Sequence, residues 1–410
     1  MSLVIHLQYT SSVDEYQRNL RGNIKKLYAL SITNGGAFFA LPIFVLFYQE
    51  NDLSLAQIFL TQAVYSIGVV VLEIPSGYFS DHFGRKPTLI IATLFWFLGY
   101  LVYALSGTFG GFIVAELLIA VGASFLSGTT DALAYDSLLE LKEEDRYRSV
   151  ASHQSFLHFA SEGIISVLGG LIALVSLRMT FVVTLPFLAL GFLIALTFQE
   201  PKRHRIQETQ HLKKIWNVCT HTLIRSAPLR SIILLWAIVS TMSLTLFWLT
   251  QPFELMVEVP LVWFGVVHGV IVFAGAIASK CTPFLARWMD DRLLMLLIAG
   301  AVAVSYLALG FVTTLYGLAF FFVVRIAWSL LTPLTSDLIN RMTTSDVRAT
   351  TLSMRSFLGR IIFAISSPFI GAMMDTSSLP ETMLIVGLIG SAVLGLLFLL
   401  MRPVWKQIPA

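Results

Sequence analysis

Glu73, Glu116, Asp131, Glu162, Lys280, Arg325 and Arg360 sit within or beside long apolar stretches of this chain. An ionised side chain at the centre of a bilayer costs about 2.5–3.5 kcal/mol, so such residues face a cavity or a partner. Depth separates them. Glu73 and Lys280 lie near span ends, where a long side chain can snorkel to the interface. Arg360 lies about ten residues into its span, and Arg325 roughly 18 Å along a helix from Asp337, near mid-membrane. Glu116 and Asp131, on one continuous helix, would be roughly 22 Å apart with faces differing by about 60°. They would line one passage at different depths without touching. Glu162 is the third deep carboxylate. A carboxylate in a low-dielectric interior can load and release a proton in the physiological range, which makes Glu116, Asp131 and Glu162 candidate proton carriers. The alternative is a fixed pair in which Arg325 neutralises one of them.

Ser240, Thr241, Ser243, Thr245, Thr250 and Gln251 alternate with Trp236, Phe247 and Trp248 in a later apolar stretch. Together they suit a pocket for an amphipathic or aromatic molecule, with Trp236, Thr241, Trp248 and Gln251 as its candidate lining. Taken singly, such hydroxyls bond back to their own helix and such aromatics sit at membrane interfaces. His158 and His268 are isolated and read as packed or capped side chains. Glu143, Glu144 and Asp145 read as a solvated loop face. The chain carries no phosphate-cradling Gly-x-x-x-x-Gly-Lys-Ser/Thr loop, no Gly-x-Ser-x-Gly elbow and no His-Glu-x-x-His zinc site, so enzymatic chemistry and ATP hydrolysis are not expected. No metal or organic cofactor is expected either.

The elements that must position these groups are transmembrane helices. Hydrophobic residues make up 56% of the 410 and charged residues 12%, with a mean hydropathy of +0.79. A soluble domain carries about 25% charged residues. Apolar runs of about 20 residues, enough to cross the hydrocarbon layer, lie near 27–48, 55–79, 88–107, 110–137, 150–175, 180–199, 229–252, 261–285, 293–312, 315–340, 351–374 and 382–401. They are too long for barrel strands. Of the 27 Lys and Arg residues, all but Arg178, Lys280, Arg325 and Arg360 fall in alternate gaps between these runs. By the positive-inside rule both termini then face the cytoplasm. Residues 1–24 show no apolar core or cleavage site, so no signal peptide is expected. The net charge of +3 follows from this topology and does not imply a nucleic-acid partner. Cys219 and Cys281 are placed too poorly for a disulfide and belong to no metal-ligand cluster.

The longest polar interruption, Glu200 to Pro228, divides six spans from six. The expected domains are 1–199, a cytoplasmic linker at 200–228, and 229–410. An offset of 201 carries Asp136, Asp145, Ser152, Ser155, Phe156 and Gly170 onto Asp337, Asp346, Ser353, Ser356, Phe357 and Gly371. Matches at equivalent junctions point to a duplicated half, a common way to build transporters.

Gly77-Tyr-Phe-Ser-Asp81-His-Phe-Gly84-Arg85-Lys86, between the second and third spans, resembles the major facilitator signature Gly-x-x-x-Asp-x-x-Gly-Arg-Lys/Arg. Glu73-Ile-Pro-Ser, Ser127-Gly-Thr-Thr-Asp131-Ala-Leu-Ala-Tyr135-Asp136-Ser-Leu and Arg348-Ala-Thr-Thr-Leu-Ser353 resemble a bacterial branch of that family, rich in poorly characterised permeases. The second-half counterpart, around Arg287 to Arg292, is degenerate. In physical terms, Gly77 removes a side chain where helices could approach. Asp81 could face the N-terminal end of another helix. Arg85 is a fork suited to a carboxylate at its depth, with Asp136 as the candidate partner. The resemblance implies that Gly77, Asp81, Gly84, Arg85, Lys86 and Asp136 form a gate that locks the two halves together and breaks as the molecule opens inward. The bland alternative is a static topology anchor.

The resemblance implies an all-α membrane protein of twelve helices in two pseudo-symmetric six-helix bundles, working by alternating access with a midplane binding site between the bundles. It implies a bacterial inner-membrane location, a lipid bilayer and a small-molecule substrate as partners, and a monomer. The leading expectation is export of a small amphipathic compound driven by a proton gradient. Rivals are an importer of a nutrient or small organic acid, in which Arg325 would bind a carboxylate, and a receptor or lipid-handling protein on the same fold. Two departures weaken the comparison with drug antiporters. Of their fifth-helix Gly-Pro-x-x-Gly-Gly element only Gly169 and Gly170 remain, and Glu116 stands where they carry an arginine.

Overall fold

The computed structural model of this chain describes residues 2–35, 39–202 and 220–403. Among them every regular element is helical. Hydrocarbon offers the backbone no hydrogen bonds, and a helix satisfies its own. In chain order the helices are α1 (Ser2–Gly35), α2 (Phe44–Glu50), α3 (Leu55–Phe83), α4 (Arg85–Leu105), α5 (Phe109–Leu126), α6 (Thr129–Glu140) and α7 (Tyr147–Ala173). They continue with α8 (Leu177–Thr197), α9 (Ala227–Met256), α10 (Phe264–Trp288), α11 (Asp291–Leu309), α12 (Leu318–Met342), α13 (Ser345–Thr376) and α14 (Leu379–Met401). Among the described residues eleven stretches are long and apolar enough to cross a membrane, and Leu41–Glu50 is a shorter apolar one. The expected first span, 27–48, falls on the end of α1 and on that shorter stretch. Its residues 36–38 lie outside the described residues, as do 203–219 of the linker, with Cys219 among them. Cys281 is exposed and free.

Packing divides the chain into two compact units, residues 1–44 with 68–206 and residues 45–67 with 207–410. Residues 45–67, placed by the sequence with the first half, thus pack with the second unit. There the Val45 amide donates to Gln251 Oε1 at 2.7 Å and Ser367 Oγ to the Phe59 carbonyl at 3.3 Å.

In the first unit α4 and α5 cross on small residues. A Cβ on Gly122 would stand 2.9 Å from the Ala92 carbonyl oxygen and the Trp96 nitrogen. In lipid, dispersion between such closely approaching helices replaces the hydrophobic drive that holds a soluble core. Leu27, Leu89, Leu133, Leu138, Val150 and Phe198 form a buried cluster near one end of this unit. Toward the other, Phe44, Tyr103 and Phe181 pack ring on ring, with centroids 5.1–5.2 Å apart. Arg178, the one cation in the intervening gaps, donates to the carbonyls of Ala104 and Ser106 at 3.1 and 2.6 Å, which caps α4. In the second unit the buried Tyr306 hydroxyl donates to the Met242 carbonyl at 2.6 Å, tying α11 to α9. Large apolar side chains such as Val71, Ile164, Phe369 and Leu400 remain more than half exposed, as lipid-facing residues should.

One expected span remains a single apolar stretch, Phe109–Glu140, but its helix is interrupted. Residues 110–137 form α5 and α6, separated by Ser127 and by Gly128 in the left-handed region at φ 70°. The spacing of Glu116 and Asp131 argued from a continuous helix therefore does not hold.

The α4–α5 crossing makes a stability prediction. Gly122→Val should lower the melting temperature of the detergent-solubilised protein by several degrees, since overpacking costs about 1–3 kcal/mol. Gly300→Val, where a Cβ would meet nothing within 4 Å, should leave it unchanged. Equal effects of the two would refute the close crossing.

Candidate functional site

The loop signature assembles around Arg85, the first residue of α4. Gly84, immediately before it, has φ 115°, a conformation that L side chains rarely adopt. That turn lets α3 end and α4 begin without a connecting loop. Arg85 Nε donates to Asp136 Oδ2 at 3.1 Å. Its Nη1 donates to Asp81 Oδ1 at 2.7 Å and to Ser80 Oγ at 2.8 Å. The Asp136 partner expected from the sequence is thus in place, and both carboxylates belong to the first unit. They are not equivalent. Asp81 is 61% exposed, against 34% for Asp136 and 22% for Arg85. An exposed i,i+4 pair such as Arg85–Asp81 is worth about 0.3–0.5 kcal/mol, so the Asp136 contact is the stronger restraint.

Two contacts differ from the sequence reading. No described atom lies within 4 Å of a Cβ built on Gly77, so the close helix approach argued for it is absent among the described residues. Asp81 faces Arg85 and not a helix N-terminus. The carboxylate at the N-terminus is Glu200, which accepts from the Arg85 amide at 2.9 Å and the Lys86 amide at 2.7 Å. Two orphan amides of α4 are thereby satisfied by a full negative charge at the positive end of the helix dipole.

Glu200 belongs to a wider knot where the chain leaves α8. Asn23 exchanges two hydrogen bonds with the Gln199 backbone, at 2.8 and 2.9 Å, and donates to Ser137 Oγ at 3.0 Å. Glu140 accepts from the Tyr16 hydroxyl and from the Lys202 amide, both at 2.8 Å. Burial, followed by the hydrogen bond to Glu140, pushes the Tyr16 hydroxyl pKa up from its ordinary value. The segment 199–202 was read only as the start of a linker. An acid directly after a span, beside an Arg-Lys at the start of another, was the available signal.

The second unit has a degenerate signature but an analogous cluster. Arg341 Nη2 lies 2.7 Å from Asp291 Oδ2, at the start of α11, and 2.8 Å from Asp337 Oδ2, one turn back on α12.

The intramembrane acids occupy different surroundings. Glu116 is 5% exposed and accepts from the Tyr103 hydroxyl at 2.6 Å, against the Phe44–Tyr103–Phe181 ring cluster. Glu162 is buried at 7% on α7. Asp131, in the first turn of α6, is exposed. Arg325 lies over the Trp328 ring at 5.0 Å, beside Gly275.

The candidate lining residues on α9 are engaged inside the second unit. Trp236 Nε1 donates to Thr332 Oγ1 at 3.1 Å, Thr241 Oγ1 to the Gly359 carbonyl at 3.2 Å, and Gln251 accepts from the Val45 amide. Trp248 packs edge-on against Phe247. Two residues went unnoticed in the sequence. Glu254, 1% exposed and with an Oε1 that has no partner among the described residues, was missed because α9 runs to Met256 and not to 252. Arg355, counted among the cytoplasmic cations, is 8% exposed inside the second unit.

Residues 27–365 match the model of the Major Facilitator Superfamily. An uncharacterized transporter of Buchnera aphidicola subsp. Acyrthosiphon pisum is 30% identical over 111 residues, 27% of this chain and 27% of that protein. The match therefore spans about a quarter of the curated relative's length. Solved structures share the fold. The nucleoside transporter NupG, as a mutant, superposes with a TM-score of 0.78 at 14% identity, covering 93% of this chain and 99% of that one. A bacterial homolog of the human lysosomal transporter Spinster gives 0.73 at 15% identity, covering 96% and 99%. A D-xylose–proton symporter gives 0.71 at 16% identity, covering 96% and 98%.

Arg85→Ala should cut transport by roughly tenfold or more, the worth of a charge-assisted contact that biases a conformational equilibrium. Surface-accessibility labelling should show normal membrane insertion. Glu200→Ala should act in the same direction but more weakly, through the N-terminus of α4. Undiminished transport by Arg85→Ala would mean that the cluster only anchors topology.

Proposed function

The chain belongs to the Major Facilitator Superfamily, and from that premise we propose that it is a proton-coupled exporter of a small amphipathic compound working by alternating access. The observation that supports proton coupling is the pair of carboxyl groups buried inside apolar helices of the first unit, Glu116 and Glu162. Ionisable side chains buried among membrane helices mark proton relays in pumps and transporters. Glu116 is the better defined of the two. Its Tyr103 partner donates to it whether it is ionised or protonated, so the group keeps a hydrogen bond through the proton cycle. Asp131 is the solvent-facing carboxylate of the set and can pass protons between bulk water and the interior.

The amphipathic character of the substrate is supported by the second unit. Trp236, Phe247, Trp248 and Trp328 bring large aromatic surfaces to the helices that also carry Ser240, Thr241 and Thr332. Aromatic faces beside hydroxyls suit a compound with an apolar body and a few polar groups.

Purified protein in vesicles under an imposed proton gradient, assayed with a compound panel, tests the proposal. Efflux should collapse with the gradient, whereas gradient-driven accumulation would indicate a symporter. Glu116→Gln, Glu162→Gln and Asp131→Asn separate the acids by the pH profile of transport, and at least one should flatten it. Three profiles identical to the wild type would remove proton coupling through these groups.

A further inference from the structure

Arg355, near the start of α13, is a buried cation with an unfinished hydrogen-bond shell. Its Nη1 donates to the Thr332 carbonyl at 3.1 Å, to Thr335 Oγ1 at 2.9 Å and to Ser336 Oγ at 2.8 Å, all on α12. The Trp236 ring covers one face of the guanidinium, 4.6 Å from its central carbon. Every one of these neighbours is neutral. Among the described residues no carboxylate pairs with Arg355, its buried Nε has no acceptor, and Nη2 makes no hydrogen bond. A buried guanidinium is usually matched by an anion, because neutral acceptors do not replace the hydration that it loses. What remains unpaired is its Nε–Nη2 edge, the side-on fork that receives the two oxygens of a carboxylate.

We propose that this edge of Arg355 binds the carboxylate of an organic anion, with Trp236 holding the guanidinium in plane. The inference rests on the transport reading above and narrows it: the amphipathic compound is an acid whose charged end meets the second unit.

The internal repeat argues that the charge serves a ligand and not the fold. The offset of 201 that aligns Ser152 with Ser353 and Ser155 with Ser356 sets Arg355 opposite Gln154. Gln154 is equally buried at 8%, and its Oε1 also lacks a partner among the described residues. The architecture therefore accommodates a neutral side chain at this place. A guanidinium there in one half alone is an addition specific to that half. A purely structural Arg355, tying α13 to α12, would account for the three Nη1 contacts and leave the bare edge without a purpose.

The test titrates the purified chain in lipid nanodiscs with benzoate, phenylbutyrate and decanoate, each against its neutral amide, reading tryptophan fluorescence and isothermal heat. At least one carboxylate should bind saturably where its amide does not. Arg355→Gln, which installs the residue type found at 154, should weaken that binding by about 10- to 100-fold. Arg355→Lys keeps the charge and can still reach the α12 hydroxyls but loses the fork, and it should weaken binding by about tenfold. Binding of amides as tight as that of acids, no saturable carboxylate binding, or unchanged affinity in the lysine variant would each overturn the proposal. The carboxylate–amide comparison needs no variant, so a misfolded mutant does not rescue or sink it. Carboxylate binding without flux of any compound would instead refute transport and leave the site standing. Wild-type flux of neutral compounds by Arg355→Gln, with no carboxylate bound, would do the reverse.

Discussion

Hydrocarbon accepts no hydrogen bonds, and the arrangement of polar groups in this chain follows from that constraint. Backbone groups are satisfied within helices. Many hydroxyls inside the spans bond back one turn, as Thr93 does to Leu89 and Thr250 to Leu246, or reach a neighbouring helix, as Ser76 does to the Ser124 carbonyl. With apolar surface gaining little by leaving lipid for protein, helices are held by close approach at small residues and by these few polar contacts. The same constraint raises the stakes for every intramembrane charge. Each must be paired, exposed or given some other compensation, and the candidates differ in which of these the structure shows.

Arg85 and Arg341 show the paired outcome in two forms. In the first unit the arginine opens α4 and reaches Asp136 on α6. In the second the arginine lies on α12 itself and reaches Asp291, at the opening of α11. The repeat offset sets Asp136 opposite Asp337 and Glu140 opposite Arg341. One acid is thus retained, while the neighbouring position changes sign. Glu140, with no arginine to receive, instead accepts from Tyr16 and the Lys202 amide. A duplicated half can therefore keep an arginine between two carboxylates after its signature residues have drifted, because attraction between opposite charges does not depend on which helix supplies which sign.

Periodic hydropathy and charge asymmetry made the spans legible from the residues alone, since both are imposed by the bilayer along the whole length of a helix. The Arg85–Asp136 contact was legible for a related reason: topology puts both residues at one depth. The features that escaped lie at boundaries. Glu200 follows directly on a span and reads as linker, yet its carboxylate closes the N-terminus of α4. Glu254 and Arg355 stand within a turn or two of span ends, where hydropathy cannot distinguish a residue in water from one enclosed by neighbours. The break at Gly128 was hidden because α5 and α6 form one continuous apolar run, and a left-handed φ at a glycine leaves no mark in composition. Gly77 illustrates the opposite error, a small residue in a familiar pattern that no described atom approaches.

The contrast between Glu116 and Arg355 indicates how the two units divide their work. Glu116 has a hydrogen-bond partner that serves it in both protonation states, so its charge can change without stranding a polar group. Arg355 cannot shed its proton under any physiological condition, and on the proposal above its burial is balanced by a bound anion. A chain that places a neutralisable acid in one half and a permanent cation in the other has the elements for coupling a proton to an anion. Under the two proposals the proton would be stored where charge can disappear, and the anion would be received where it cannot. That division needs no direct contact between the two groups, only that occupancy of each favours the same conformation of the molecule.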